Sequence, residues 1–167
     1  MNLVEYQILA KRTRPDLGDS YKNILHMDLG VLTELGELLD IFKRHLAYEK
    51  PIDIVHLGEE LADICWYAVN KMDLMSTTAP MILYTPPGRI SLPDIFSRIK
   101  WYYKCELQTK EKDMLDLCFT IACSYGLDFP QLLENNINKL KVRFPEKFDT
   151  EKALNRNLEA ERAELEK

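Results

Sequence analysis

The sequence lacks the features that mark membrane, secreted and nucleic-acid-binding proteins. No apolar run among its 167 residues is long enough to span a bilayer, and the first 22 residues do not have the basic-then-apolar layout of a signal peptide. The formal net charge of −5 argues against non-specific nucleic-acid binding through a basic face. We therefore expect a cytoplasmic protein with no membrane partner and no nucleic-acid partner.

Cysteine and glycine are also scarce. The four cysteines form no C-x-x-C pair and lie in apolar stretches, which favours reduced core residues over disulfides or a zinc site. The chain has only six glycines, and its apolar residues recur at three- and four-residue spacing, so we expect an all-α protein. The length suits one domain over residues 1–167. The predicted fold is an antiparallel bundle of about four to six helices.

Prolines, glycines and capping residues set the expected helix boundaries. Helices are predicted at about residues 3–13, 19 or 20–48, 53–74, 91 or 93–107, 110–125 and 130–143. The stretch from 75 to 91 contains three prolines and a glycine and is expected to be a loop. The charged tail from about residue 150 is interpreted as a solvated or frayed helix, with a partner-binding arm as the alternative.

Two pairs of acidic residues lie on consecutive, strongly apolar helices. Glu34 and Glu37 are three residues apart and therefore lie on one helix face, and Glu60 and Asp63 repeat this spacing on the next helix. Each pair taken alone is typical of a solvated helix surface. Because both helices are apolar on most sides, we expect the four carboxylates to face each other in a partly buried site.

Four carboxylates gathered in a medium of low dielectric constant repel one another and lose hydration, and a divalent cation would compensate for both costs. The predicted ligands are oxygen atoms, with no His or Cys at metal-binding spacing, which favours Mg²⁺ with Mn²⁺ as a substitute. The predicted metal site, between two consecutive helices, consists of Glu34, Glu37, Glu60 and Asp63.

A third group of polar residues lies on the last predicted core helix. Asn136, Lys139 and Arg143 fall on one helix face and together could bind a polyphosphate. The alternative is that basic residues near a helix C-terminus simply complement the helix dipole. We place Lys139 and Arg143 near a helix end rather than in the core.

In these residues the chain resembles the MazG-like all-α nucleoside triphosphate pyrophosphohydrolases, which are related to the dimeric dUTPases. The family pattern is E-x-x-E followed by E-x-x-D, and the resemblance covers roughly residues 20–71 and 115–157. Asn23, His26 and Gly30 before the first motif fit the family, and so does the stretch 136–145. Residues 75 to about 115 depart from it as an insertion.

The resemblance implies hydrolysis of a nucleoside triphosphate to the monophosphate and pyrophosphate. It places the catalytic carboxylates at Glu34 and Glu37, and Glu37 is assigned to position or deprotonate the attacking water. Lys139 and Arg143 would stabilise phosphate charge. Asn23 and His26 would line the nucleotide pocket, although His26 is also typical of a packed helix histidine.

Other functions remain open at the level of sequence. A phosphoribosyl-ATP pyrophosphohydrolase shares the helical scheme, and a non-catalytic helical module that binds nucleotides or dimerises is a further alternative. A di-iron bundle is disfavoured because neither Glu34 nor Glu60 has a His three residues later. The long helix of residues 20–48 has two apolar faces, which predicts a homodimer or a higher homo-oligomer.

Overall fold

A computed structural model describes residues 1–81, 88–104 and 110–167. Within these ranges the chain forms eight α-helices and no β-strand, which confirms the all-α prediction. The helices are α1 (Leu3–Ala10), α2 (Ser20–Tyr48), α3 (Ile54–Leu74), α4 (Leu92–Lys104), α5 (Lys110–Ser124), α6 (Phe129–Arg143), α7 (Thr150–Leu154) and α8 (Leu158–Leu165). In the part of the chain described, no helix is both long and apolar enough to cross a membrane.

Capping residues account for where the helices begin. Asp19, Asp53 and Asp128 each precede a helix and accept hydrogen bonds from backbone N–H groups of its first turn. These are the positions at which the sequence predicts the starts of α2, α3 and α6. Gly126 follows α5 with a φ of 72°, a conformation that glycine adopts at little cost at a helix end.

Helix α3 is the centre of the fold. Thirteen of its 21 residues are buried, among them Leu57, Leu61 and Ile64, which have no exposed surface. It packs against α1, α2, α5, α6 and α8. Polar residues on α3 are therefore held in place by the surrounding helices, and this is the helix that carries the second acidic pair.

Helix α2 lies alongside α3 but is buried on one side only. Met27, Val31, Leu35 and Leu38 pack into the core with no exposed surface. The side chain of Leu29 is 53% exposed, so α2 is not buried on most sides as the sequence suggested. One apolar face of α2 thus packs into the core, and another is exposed in the part of the chain that the structure describes.

The helix count of four to six is too low, because the C-terminal tail contributes two short helices of its own. The tail is also not frayed: α8 packs on α6, and the Asn135 side-chain amide donates a hydrogen bond to the Leu165 carbonyl. At the N-terminus, α1 ends at Ala10 and continues as a 3₁₀ turn to Thr13. The predicted helix end near 107 and part of the predicted loop, 82–87, lie outside the described residues.

Candidate active site

The two acidic pairs line a single cleft. Glu34 and Glu37 extend from α2 and Glu60 and Asp63 from α3 into a cavity of about 420 Å³, where α6 and the C-terminal segment form further walls. The antiparallel packing of α2 against α3 explains the arrangement, because each i, i+3 pair faces the other helix. Glu60 is only 4% exposed, whereas Glu37 is open to solvent.

Glu34 and Glu60 are in an environment that disfavours their charged forms. Burial raises the pKa of Glu34 to about 8, with further contributions from the negative charges of Asp63 and Glu60. Burial also raises the pKa of Glu60 to about 7, and Asp63 and Glu37 add to the effect. The two carboxyls lie within hydrogen-bonding reach of each other, and that bond forms only when one of them is protonated.

His56 joins this cluster, which corrects the prediction that no histidine lies at metal-binding spacing. Its Nε2 lies 2.9 Å from Glu60 Oε1, because His56 and Glu60 are four residues apart on α3. Ligand atoms of Glu37, His56 and Glu60 all lie within 4.8 Å of one another, close enough to hold one metal ion. The signal for this contact in the sequence is the i, i+4 spacing of His56 and Glu60.

Asp63 differs from the other acids because the protein compensates its charge. Lys139 Nζ lies 2.6 Å from Asp63 Oδ2 and 2.8 Å from Asp63 Oδ1, and it also contacts Glu59 Oε1 at 3.2 Å. Lys139 is 1% exposed; burial alone would lower its pKa, but the charges of Asp63 and Glu59 outweigh burial and raise it. Lys139 is therefore a core residue, which corrects the prediction that it lies outside the core.

Asn136 is also buried and holds the same carboxylate. Its side-chain Nδ2 donates to Asp63 Oδ1 at 2.5 Å, and its Oδ1 accepts a hydrogen bond of 2.7 Å from the Tyr6 hydroxyl. Tyr6 has no exposed surface and ties α1 into this network. Asn136 and Lys139, predicted as substrate ligands, thus lie beneath Asp63 and do not line the cleft.

Aromatic side chains form one wall of the cleft. The ring of Tyr67 lies over Gly30 of α2, where a Cβ atom would come within 2.1 Å of it, so glycine is required for this close approach. His26 and Trp66 both pack edge-to-face on Tyr67 and also line the cleft. Burial lowers the pKa of His26 and raises the pKa of Tyr67 to about 12, so both side chains are neutral near pH 7.

Of the two remaining residues predicted to bind the substrate, one lines the cleft and the other does not. Arg143 lines the cleft, where it pairs with Glu161 of α8. Asn23 does not: its side chain accepts a hydrogen bond from the Leu17 backbone N–H and donates one to Asp16 in the turn before α2. Its place there is structural, because these bonds fix the loop that leads into the helix.

Compared with models of protein families, with curated proteins and with solved structures, the chain matches none. The geometry of the cleft is therefore the basis for a functional assignment.

The raised pKa values predict how stability depends on pH in the absence of metal. Glu34 and Glu60 bind protons more readily folded than unfolded, so their contribution to the free energy of unfolding is fully present below pH 4.5 and is lost as pH rises through about 7 to about 8. The melting temperature of the metal-free protein should therefore rise by a few degrees between pH 8 and pH 5. Glu34→Gln should flatten this slope, whereas Glu134→Gln, at an exposed position on α6, should leave it unchanged. Equal slopes in all three proteins would contradict the assigned shifts.

The burial of Lys139 predicts a large loss of stability on its replacement. Lys139→Met leaves Asp63 without its cation and should lower the free energy of unfolding by about 3 kcal/mol in urea denaturation. Lys141→Met, at an exposed position of the same helix, should have little effect. The double variant Asp63→Asn, Lys139→Met should recover part of the loss, because the charge of Asp63 is then removed together with that of Lys139. Similar urea midpoints for Lys139→Met and Lys141→Met would refute a role of this ion pair in stability.

Proposed function

We propose that this chain hydrolyses nucleoside triphosphates to nucleoside monophosphate and pyrophosphate in a reaction that depends on a divalent cation. The observation that carries the proposal is the carboxylate cluster of Glu34, Glu37 and Glu60. These acids share one cleft, and no Lys or Arg of the described residues forms an ion pair with any of them. Such a cluster is costly for folding and is typical of a metal site.

The donor set fits a divalent cation. Two carboxylates and one imidazole, from Glu37, Glu60 and His56, can reach a common ion, and Glu34 stands next to Glu60. Glu60 Oε2 is buried and receives no hydrogen bond from any donor in the described part of the chain. Carboxylates suit Mg²⁺ and Mn²⁺, and the imidazole adds affinity for Mn²⁺. We propose Mg²⁺ as the cation and Mn²⁺ as a substitute.

A bound cation would neutralise phosphate charge and lower the pKa of a water molecule. Glu37 is the carboxylate in the cleft that is open to solvent, which suits it to orient that water and to accept its proton. Tyr67, His26 and Trp66 offer an uncharged aromatic wall for a nucleoside. Phosphate binding is assigned to Arg143, because Lys139 is committed to Asp63 and lies outside the cleft.

The reaction predicts a specific product and a metal requirement. Purified protein incubated with Mg²⁺ and a panel of NTPs, dNTPs and phosphoribosyl-ATP should release pyrophosphate, and EDTA should abolish this release. Glu37→Gln and Glu60→Gln should each lower kcat by at least about 100-fold. Glu134→Gln should behave as the wild type. Orthophosphate as the sole product, or full activity in EDTA, would refute the proposal, and phosphoribosyl-ATP as the sole substrate would favour the alternative enzyme.

We also propose that the chain forms a homodimer or a higher homo-oligomer through the exposed side of α2. Tyr21, Leu25 and Leu29 recur there every four residues and are 72%, 41% and 53% exposed. An apolar stripe of this kind is typical of a surface that is covered in an assembly.

Light scattering should therefore give at least twice the mass of one chain. Leu29→Glu should lower that mass because it places a charge within the stripe, and Lys141→Glu, at an exposed position on α6, should not. A wild-type monomer that persists at high concentration would contradict this assembly.

A further inference from the structure

One carboxylate of α8 holds two arginines at the edge of the acidic cleft. Glu161 is 2% exposed and accepts hydrogen bonds from Arg143 Nε at 2.9 Å and Arg143 Nη2 at 2.5 Å. It also accepts from Arg156 Nη2 at 2.8 Å and Arg156 Nε at 3.2 Å. These contacts lower the pKa of Glu161 despite its burial. Glu161 therefore stays ionised and fixes both guanidinium groups.

Both arginines use the same edge of the guanidinium group for this contact. Each binds Glu161 through Nε and Nη2, and within the described ranges Nη1 of neither arginine makes a hydrogen bond. Arg143 is further oriented by the ring of Phe144, 5.8 Å from its guanidinium carbon. Two oriented Nη1 groups thus remain available for an acceptor.

The charge of this group differs from that of the rest of the cleft. Two arginines and one glutamate keep a net charge of one positive unit, whereas Glu34, Glu37 and Glu60 are acidic. Of the described residues that line the cleft, two are basic residues of the Lys or Arg type, and both are arginines: Arg143 and Arg156. A phosphate chain held by a cation at the carboxylates needs donors for its other oxygens, and a guanidinium group binds phosphate in a fixed geometry.

We propose that Arg143 and Arg156 form a phosphate subsite of the cleft and that Glu161 is the positioning residue that aligns them. This inference rests on the proposed function, since it assigns that site its contacts with the polyphosphate. It also gives the charged tail a role, because α8 brings the buried Glu161 to the two arginines and holds their side chains in place. Side chains that are already held lose less conformational entropy when phosphate binds.

The subsite can be tested by binding without turnover. Inorganic tripolyphosphate should bind to the wild-type protein with Mg²⁺ in titration calorimetry, and Arg156→Gln should weaken this binding about tenfold. Arg162→Gln is the matched control, because Arg162 lies on α8 but pairs with Asp53 and Glu166 outside the cleft. The control should bind tripolyphosphate as the wild type does.

Steady-state kinetics test the positioning role of Glu161. With a nucleoside triphosphate, Glu161→Gln should raise KM several-fold and lower kcat much less, and Glu161→Asp should restore part of the loss. Glu164→Gln, whose carboxylate contacts Lys167 at the surface, is the control. A lower kcat and melting temperature at unchanged KM would show that Glu161 only anchors the tail, and would overturn the positioning role.

The two proposals fail in different ways. Tripolyphosphate binding that is equal in the Arg156→Gln and wild-type proteins, or undetectable in both, overturns the subsite even if nucleotides are hydrolysed. Binding that depends on Arg156 without hydrolysis of any nucleotide supports the subsite and overturns the proposed function.

Discussion

The ion pair between Lys139 and Asp63 is the contact on which the acidic cleft depends. It joins α6 to α3 at the point where the second acidic pair emerges, and Asn136 and Tyr6 extend it to α1. Lys139 is only 1% exposed, so its ammonium group has lost its hydration, and nearby carboxylates must compensate for this cost if the group is to stay charged. Lys139 compensates part of the charge of Asp63, whereas no Lys or Arg of the described residues pairs with the other three acids.

Those three acids show a conflict between stability and function. Glu34 and Glu60 would each be easier to accommodate as apolar residues, and their raised pKa values measure the cost of keeping carboxyls there. Residues that lower the stability of the fold are expected at functional sites, and packing elsewhere in the protein compensates for their cost. Here the balance comes from α3, whose apolar residues on other faces are fully buried.

The C-terminal tail changes the interpretation of the charged residues. Acidic and basic residues in a sequence such as 150–167 are typical of a solvated helix, and most of them are exposed. Glu161 is the exception, because it is buried between Arg143 and Arg156. Nothing in the local pattern distinguishes Glu161 from Glu159 or Glu164, since the difference arises only when α8 packs on α6.

The sequence by itself determined the helical class, the starts of α2, α3 and α6, and the pairing of Glu34 and Glu37 with Glu60 and Asp63. These features follow from spacing within one or two neighbouring helices, where a period of 3.6 residues fixes which side chains share a face. Only the tertiary structure decided how the third group is used. Helix periodicity places Lys139 and Arg143 on one face, but whether each meets solvent, Asp63 or Glu161 depends on how α6 packs between α3 and α8. That packing brings together residues as many as 80 positions apart, which no local pattern encodes.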